Sequence, residues 1–513
     1  MDVAAAQDIP GTIRPVGSSA KFNTSRHHLG LCRCVVLTGH YAVSHQSTLA
    51  GAKDGSSVRD AVVKALATVV SQHPMLRVGI VGEGSAEPVY IHLLSIDLRQ
   101  VMQWKEFNGQ DGDDYTAFLL HSVQAQHDQV WEHLDARPAW KIIVHQPSSV
   151  PSQAPGIVHL DISFAFHHAI GDAESAVIFH RDLLRALNGA RPPQAAPALN
   201  DHILALKSQA HLPRPLEAIV PLNISWLYLC AFILLRVWSK LAPSRLKSKD
   251  PWTSKNVSIK TFKTNLRLVH VPYRTIASLI TTCREKGTTL TPLLHGLILA
   301  SLSNRLRAIP ANAFCANTPI SLRRFAAPDF NRQDTIHCLV TAHSFLFNTE
   351  FVSEFRKASK NNSESMVWRA AVDLGKNLRS KVARLPRNDQ MGLLGWVSDW
   401  ETFWLQQIGK PRKDSWSCSN AGSLGASDAG SLEGDRAHSG RWGIERLIFS
   451  QGALPMGSTF NVNVVGVQGK SLSITLSWQD TILDSSLMDG LAEDLQTWLD
   501  QFGKSGSFGL SAQ

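Results

Sequence analysis

Cysteine is sparse and unpatterned in this 513-residue chain. Cys32, Cys34, Cys230, Cys283, Cys315, Cys338 and Cys418 are odd in number, scattered, and never spaced CxxC. Neither a disulfide framework nor a structural metal is therefore expected. GxSxG, HExxH, a Walker loop and a GxGxxG after a strand are all missing, which removes the chemistries those motifs serve. The opening MDVAAAQDIPG has no basic-then-apolar leader, so an intracellular, cytoplasmic and reducing setting is expected. No zinc-ligand spacing or RNA-binding aromatic signature occurs, and no nucleic-acid partner is expected.

Charge is also low, at 18% of residues against 44% apolar, the composition of a globular protein. The length exceeds what one core usually supports, so two domains or a duplicated fold is the expectation. The net charge of +9 is concentrated. Nine cations, from Arg236 through Lys240, Arg245, Lys247, Lys249, Lys255, Lys260 and Lys263 to Arg267, face Asp250 alone. Just ahead lies VPLNISWLYLCAFILLRVW, Val220 to Trp238. Its uninterrupted part, Trp226 to Leu235, is shorter than the roughly 20 residues a span requires. It reads as a buried helix, an interdomain hairpin or a segment on a membrane surface, giving peripheral membrane contact through 220–267.

Periodicity places the remaining elements in a mixed α/β pattern. Ser56 to Pro74 puts Val58, Val62, Leu66 and Val70 on one helical face, with Ser56 or Ser57 as cap. Strands are expected at Cys34–Thr38, after Met75, at Trp140–His145, Thr335–Phe347, Phe460–Val467 and Ser471–Trp478. Helices are expected at Ala117–Gln129, Thr289–Leu306, Glu364–Ala383 and after Asp484. Residues 190–215 read as a Pro/Ala linker, and Trp416–Gly440 as a Ser/Gly/Asp-rich mobile loop. The resulting partition is 1–190, a linker region 191–251, and 252–513.

GIVHLDISFAF alternates Val158, Leu160, Ile162, Phe164 and Phe166 with His159, Asp161, Ser163 and Ala165, a strand buried on one face. It runs into HHAIGDA and then a helix, AESAVIFHRDLLRALNG, closed by Asn188-Gly189. Two imidazoles thus stand at a strand end, Gly171 tightens the turn, and Asp172 occupies the N-cap position. A histidine held there can accept a proton near neutral pH. The plain alternatives are surface histidines and a simple helix cap.

HHxxxD followed by a small residue resembles the signature of the acyltransferase superfamily of chloramphenicol acetyltransferase, plant acyl-CoA-dependent acyltransferases and peptide-synthetase condensation domains. IRPVGSSAKF, SRHHLGLCRCVVLTGHY, FAFHHAIGDAESAVIFHRDLLRALN, CREKGTTLTPLLHGLILASL, NTPISLRRF, WGIERLIFSQ and STFNVNVVGVQGKSLSITLSWQD resemble, in order, the fungal alcohol acetyltransferase family. The family usually has Gly where Ala173 stands. The resemblance implies an α/β sandwich of two chloramphenicol-acetyltransferase-like subdomains with mixed sheets, helices outside and an active-site channel between. It implies acetyl-CoA as co-substrate, a hydrophobic hydroxyl-bearing acceptor, a monomer, and no resident cofactor.

The same resemblance implies roles. His168 would be the general base and His167 a structural partner. Asp172 would pair with an arginine of the second half, Arg323 by position, with Arg324 or a bare cap as alternatives. Ser419 and Asn420 fall in a stretch like the family's SN-x-G strand and are candidates for the oxyanion or channel, a plain turn being the alternative. The 236–267 cations would meet coenzyme A phosphates, lipid headgroups or only solvent. Transfer to an amino alcohol and a non-catalytic acyl- or carrier-binding module remain the competing functions.

Overall fold

The computed structural model describes residues 11–44, 58–109, 112–147, 157–189, 197–241, 251–260, 262–430 and 441–510. Val35–Ser44 and Ile157–Phe166 are long runs of β-branched and aromatic residues, and they pair antiparallel with Val35 opposite Phe166. Trp140–Pro147 flanks the second of these, and Met102–Phe107 adds a parallel edge. The fifth strand, Gly443–Gln451, comes from the far end of the chain and pairs with Val35–Ser44. A six-stranded mixed sheet is built in spatial order from Thr264–Pro272, Ser471–Gln479, Phe460–Val467, Trp416–Leu424, Phe314–Ser321 and Val340–Phe347.

Each sheet has its own core. Phe164 stacks on Phe179 of the helix Ala173–Leu187 at 3.9 Å between centroids. The second core surrounds Leu290–Arg305, a helix apolar on every side and buried along nearly its whole length. Gly296 lets that helix approach its neighbour, Lys360–Arg384, because a Cβ there would meet the Val367 carbonyl at 2.8 Å. His295 in the same helix is fully buried but satisfied, accepting from Trp416 Nε1 at 2.8 Å and lying 3.0 Å from Thr318 Oγ1.

Several sequence expectations are corrected. The strand before the histidines is buried on both faces, since Asp161, Ser163 and Ala165 are covered as well as the aromatics. It is an interior strand, and its polar side is neutralised locally: Ser163 bonds Thr38, while Asp161 bonds His40 and Tyr115. Trp416–Leu424 is a strand rather than a loop. Its parallel pairing with Phe460–Val467 and Phe314–Ser321 satisfies a backbone whose Ser, Asn and Gly content gave no strand signal. Residues 431–440 of that stretch lie outside the described residues, as do Ser56 and Ser57.

The linker carries two short strands, Leu199–Asn200 and Ile203–Ala205, which pair with each other, and the second also pairs with Ser95–Asp97. The apolar stretch does form a helix, Trp226–Leu241, but no described side chain from Trp226 to Leu235 is buried. The buried-helix reading therefore fails. Ser18–His28 is a helix the periodicity missed, because its buried residues include Ser19, Asn23, Thr24, Ser25 and His27 rather than an apolar stripe. Thr335–Leu339 is not strand; its backbone instead turns toward Asp172 and Arg323.

Candidate active site

Phe166 ends its strand opposite both Val35 and Trp140, and His167 N is still anchored to the Ala139 carbonyl at 2.9 Å. The chain then turns through His168–Gly171 into a helix capped by Asp172. Gly171 is closely packed, and a Cβ there would lie 3.0 Å from Ser175 Cβ. Ala173 is the first residue of the helix, a position that accepts an alanine without strain.

His168 lines a cavity of about 100 Å³ together with Val35, Asp172, Ile320, Ser419, Asn420 and Phe449, so both sheets contribute walls. Its Nδ1 lies 2.9 Å from the Gly171 carbonyl. A carbonyl only accepts, so Nδ1 carries the proton and Nε2 the lone pair. Enclosure lowers the imidazole's pKa, and the nearby Arg26 charge pushes the same way, keeping the ring neutral.

Asp172 points elsewhere. Its Oδ1 accepts from Ser175 N at 2.8 Å, Ser175 Oγ at 2.7 Å and Arg323 Nη2 at 2.9 Å, and its Oδ2 accepts from Leu339 N at 3.0 Å. Burial acts to raise the carboxyl, but Arg323 and these hydrogen bonds outweigh it and hold the group below the usual carboxylate range. Arg323 reaches across from the second half and also donates to the Thr335 and His337 carbonyls, both at 2.8 Å. Arg324 is exposed and stacks on Phe325 instead.

His167 faces away from the cavity. Its Nδ1 accepts from Ala169 N at 2.9 Å and its Nε2 donates to Glu83 at 2.8 Å. His27 Nδ1 meets the other carboxylate oxygen at 2.9 Å. Burial alone would raise Glu83, yet the hydrogen bonds from His167 and His27 hold it at about 2. Sequence reasoning missed both Glu83 and His27, whose positions are remote from the motif and carry no spacing signal. The three side chains offer metal-type atoms within 4.8 Å of one another. Their contacts are nevertheless hydrogen-bond lengths, shorter than the roughly 3.3 Å that tetrahedral bonds of about 2.0–2.1 Å would impose. The group is a hydrogen-bonded brace behind the turn.

Ser419 and Asn420 are both on the cavity wall, but they differ in freedom. The Asn420 amide donates to Thr291 Oγ1 at 3.0 Å, and its oxygen accepts from Gly422 N at 2.8 Å. Ser419 is buried, with no comparable commitment of its hydroxyl. Asn420 also borders a second cavity of about 340 Å³, lined by Ile276, Ile280, Leu290, Val467 and Leu472 among others. Of the cations in 236–267, the described Lys255, Lys260, Lys263 and Arg267 line neither cavity.

Comparison with known proteins agrees with this architecture. The alcohol acetyltransferase family matches residues 99–493. A probable alcohol acetyltransferase, FCK4, of Fusarium pseudograminearum is 29% identical over 98% of each chain. Among solved structures, the TRI3 trichothecene 15-O-acetyltransferase of Fusarium sporotrichioides superposes with a TM-score of 0.66 at 12% identity, covering 94% of each chain. The epimerization domain of tyrocidine synthetase B superposes at 0.54 and 15% identity, covering 97% of this chain and 98% of the other. These structural likenesses fix a condensation-domain-like fold of mixed sheets flanked by helices. The length of the family match fixes more: the chain belongs to the alcohol acetyltransferase family and is an acyltransferase.

Proposed function

We propose that the protein transfers an acetyl group from acetyl-CoA to the hydroxyl of a hydrophobic small molecule by direct attack, with His168 as general base. The observation carrying this reading is the neutral, Nδ1-protonated His168 on the wall of a cavity shared by both sheets. Nε2 takes the acceptor proton as the hydroxyl oxygen bonds to the thioester carbon. The carbonyl becomes an oxyanion; on collapse the C–S bond breaks, and the thiolate recovers the proton from His168. No acyl-enzyme forms.

Two further features support it. Asp172 is fully occupied by Ser175, Arg323 and Leu339, so it shapes the turn across the two halves and does not relay charge to His168. Ser419 is the better oxyanion donor of the two candidates, since the Asn420 side chain is held away by Thr291 and Gly422, with one of its two amide N–H groups already used, whereas the Ser419 hydroxyl can turn to the cavity. Val35, Ile320, Val340, Ala421 and Phe449 give the cavity apolar walls, which suits a hydrophobic acceptor.

The test is thiol release from acetyl-CoA with a panel of alcohols and amines, with and without His168→Ala. Turnover with alcohols, falling by roughly 10²–10⁴-fold in the variant while far-UV dichroism is unchanged, is the expected result. Undiminished turnover in the variant refutes the base. Tight coenzyme A binding without release for any acceptor favours a binding module instead.

A further inference from the structure

Glu83 sits at the tip of the hairpin between Val78–Val81 and Val89–His92, where Ser85 N closes a turn on the Gly82 carbonyl at 2.8 Å. Hairpin tips ordinarily turn their charges into water. This carboxylate is only 15% exposed and points instead at the HHxxxD turn. Its two oxygens take one histidine each, His167 Nε2 at 2.8 Å and His27 Nδ1 at 2.9 Å. An ionised carboxylate only accepts, so both of those nitrogens carry protons. His167 is buried and neutral, and it has one N–H, which it spends on Glu83. Its Nδ1 keeps a lone pair, which Ala169 N meets at 2.9 Å. The adjacent histidines are therefore opposite tautomers, His167 protonated on Nε2 and His168 on Nδ1.

The consequence reaches His168 through the backbone. Ala169 and Ile170 are the two residues between His168 and Gly171, whose carbonyl selects the His168 tautomer. Neighbouring groups have partners of fixed polarity. Asn23 Nδ2 donates to the His168 carbonyl at 3.3 Å, Tyr90 to the Ala169 carbonyl at 2.9 Å, and Ile170 N to the His167 carbonyl at 3.1 Å. Ala169 N differs, because it depends on a ring nitrogen that can present either a lone pair or a proton. With the proton on His167 Nδ1, two donors would face each other, and relieving them would shift the turn and the Gly171 carbonyl with it. A carboxylate opposite Nε2 removes that alternative.

We propose that Glu83 is a positioning residue for acyl transfer: by holding the His167 proton on Nε2 it keeps the 169–171 turn closed, and so keeps His168 Nε2 a lone pair. This inference rests on the reading of His168 as general base.

The test is steady-state thiol release by Glu83→Ala, Glu83→Gln and His168→Ala, and by Glu83→Ala combined with His168→Ala or with His167→Asn. Glu83→Ala should lower kcat by at least about tenfold, within the roughly 10²–10⁴-fold a general base supplies, with KM for both substrates changed less than about twofold. Glu83→Gln, whose amide oxygen still accepts from His167, should stay within about threefold of the unaltered protein. In the His168→Ala background Glu83→Ala should cost nothing further, whereas a general loosening of the fold would slow both backgrounds. His167→Asn puts an amide oxygen near the former Nδ1, with no tautomer to choose, and should make turnover indifferent to Glu83→Ala. Unchanged kcat in Glu83→Ala while His168→Ala is inactive overturns this inference and leaves the base standing; full activity of His168→Ala overturns both. An equal loss in both backgrounds also overturns it, as does Glu83→Gln being as slow as Glu83→Ala, which would assign the effect to charge rather than to the accepting oxygen. If Glu83→Ala does not fold, ring-nitrogen NMR of the unaltered protein decides: the histidine signal lost in His167→Asn must be the Nε2-protonated tautomer, and protonation on Nδ1 overturns the proposal.

Discussion

At the scale of single residues, the site divides into groups that act and groups that hold. Ser419 is the sharpest case, because its neighbour Asn420 is tied to Thr291 and Gly422. Ser419→Ala should lower kcat by about 10²–10³-fold, the usual cost of one oxyanion donor, with KM little changed. Asn420→Ala should cost clearly less. Steady-state kinetics on both variants separates a donor from a wall residue. The histidine makes a second statement. Enclosure and Arg26 lower its pKa, so activity should be full above the ordinary imidazole range and decline only as pH falls below it. A kcat/KM profile whose acid limb lies at or above the unperturbed value near 6.5 contradicts that. The motif itself was legible from sequence, since a strand running into HHxxxD fixes which residues share a turn. The tautomer was not, because the Gly171 carbonyl that sets it depends on how that turn closes.

Between elements, Asp172 and Arg323 join the helix Ala173–Leu187 to the segment around Thr335–Leu339. Their side chains are 2% and 5% exposed, so neither charge is eased by water. Arg323→Ala strands a buried carboxylate and should destabilise the protein by about 3–5 kcal/mol, read as a lower denaturant midpoint. Arg324→Ala, at an exposed position, should change the midpoint little. The elements also show where local pattern stops informing. Leu290–Arg305 was readable from its long leucine-rich run, and Phe460–Val467 from the alternation of Phe460, Val462 and Val464 with Asn461 and Asn463. Trp416–Leu424 was not readable from its composition, and only the family resemblance hinted at a strand, since its strand state comes from two parallel neighbours rather than from its own side chains.

Over the whole molecule, buried histidines set the response to acid. Burial lowers His127 and His295 to about 3, and His145, His167, His180 and His337 to about 4. The unfolded chain binds protons at these rings near pH 6.5 while the folded chain does not. Their stabilising contribution is therefore complete well above that pH and is lost progressively as pH falls toward 4. Glu83 and Asp182, both held at about 2, add further loss once pH drops below the ordinary carboxylate range. The melting temperature should thus level off only well above pH 7, begin to fall as pH drops through about 7, and fall more steeply below about 6.5. A melting temperature unchanged between pH 7 and about pH 4.5 contradicts the neutral, buried state of these rings.

Sequence alone determined the class of fold, the motif turn and the unusual apolar-then-basic segment, because these depend on patterns within a few turns or one strand. Tertiary structure decided the rest. Only it could choose Arg323 over Arg324, bring Glu83 and His27 behind His167, free Ser419 while occupying Asn420, and leave Trp226–Leu235 uncovered. Each of these is a contact between segments far apart in the chain, or the lack of one, and its energy lies in a neighbour that local sequence does not name.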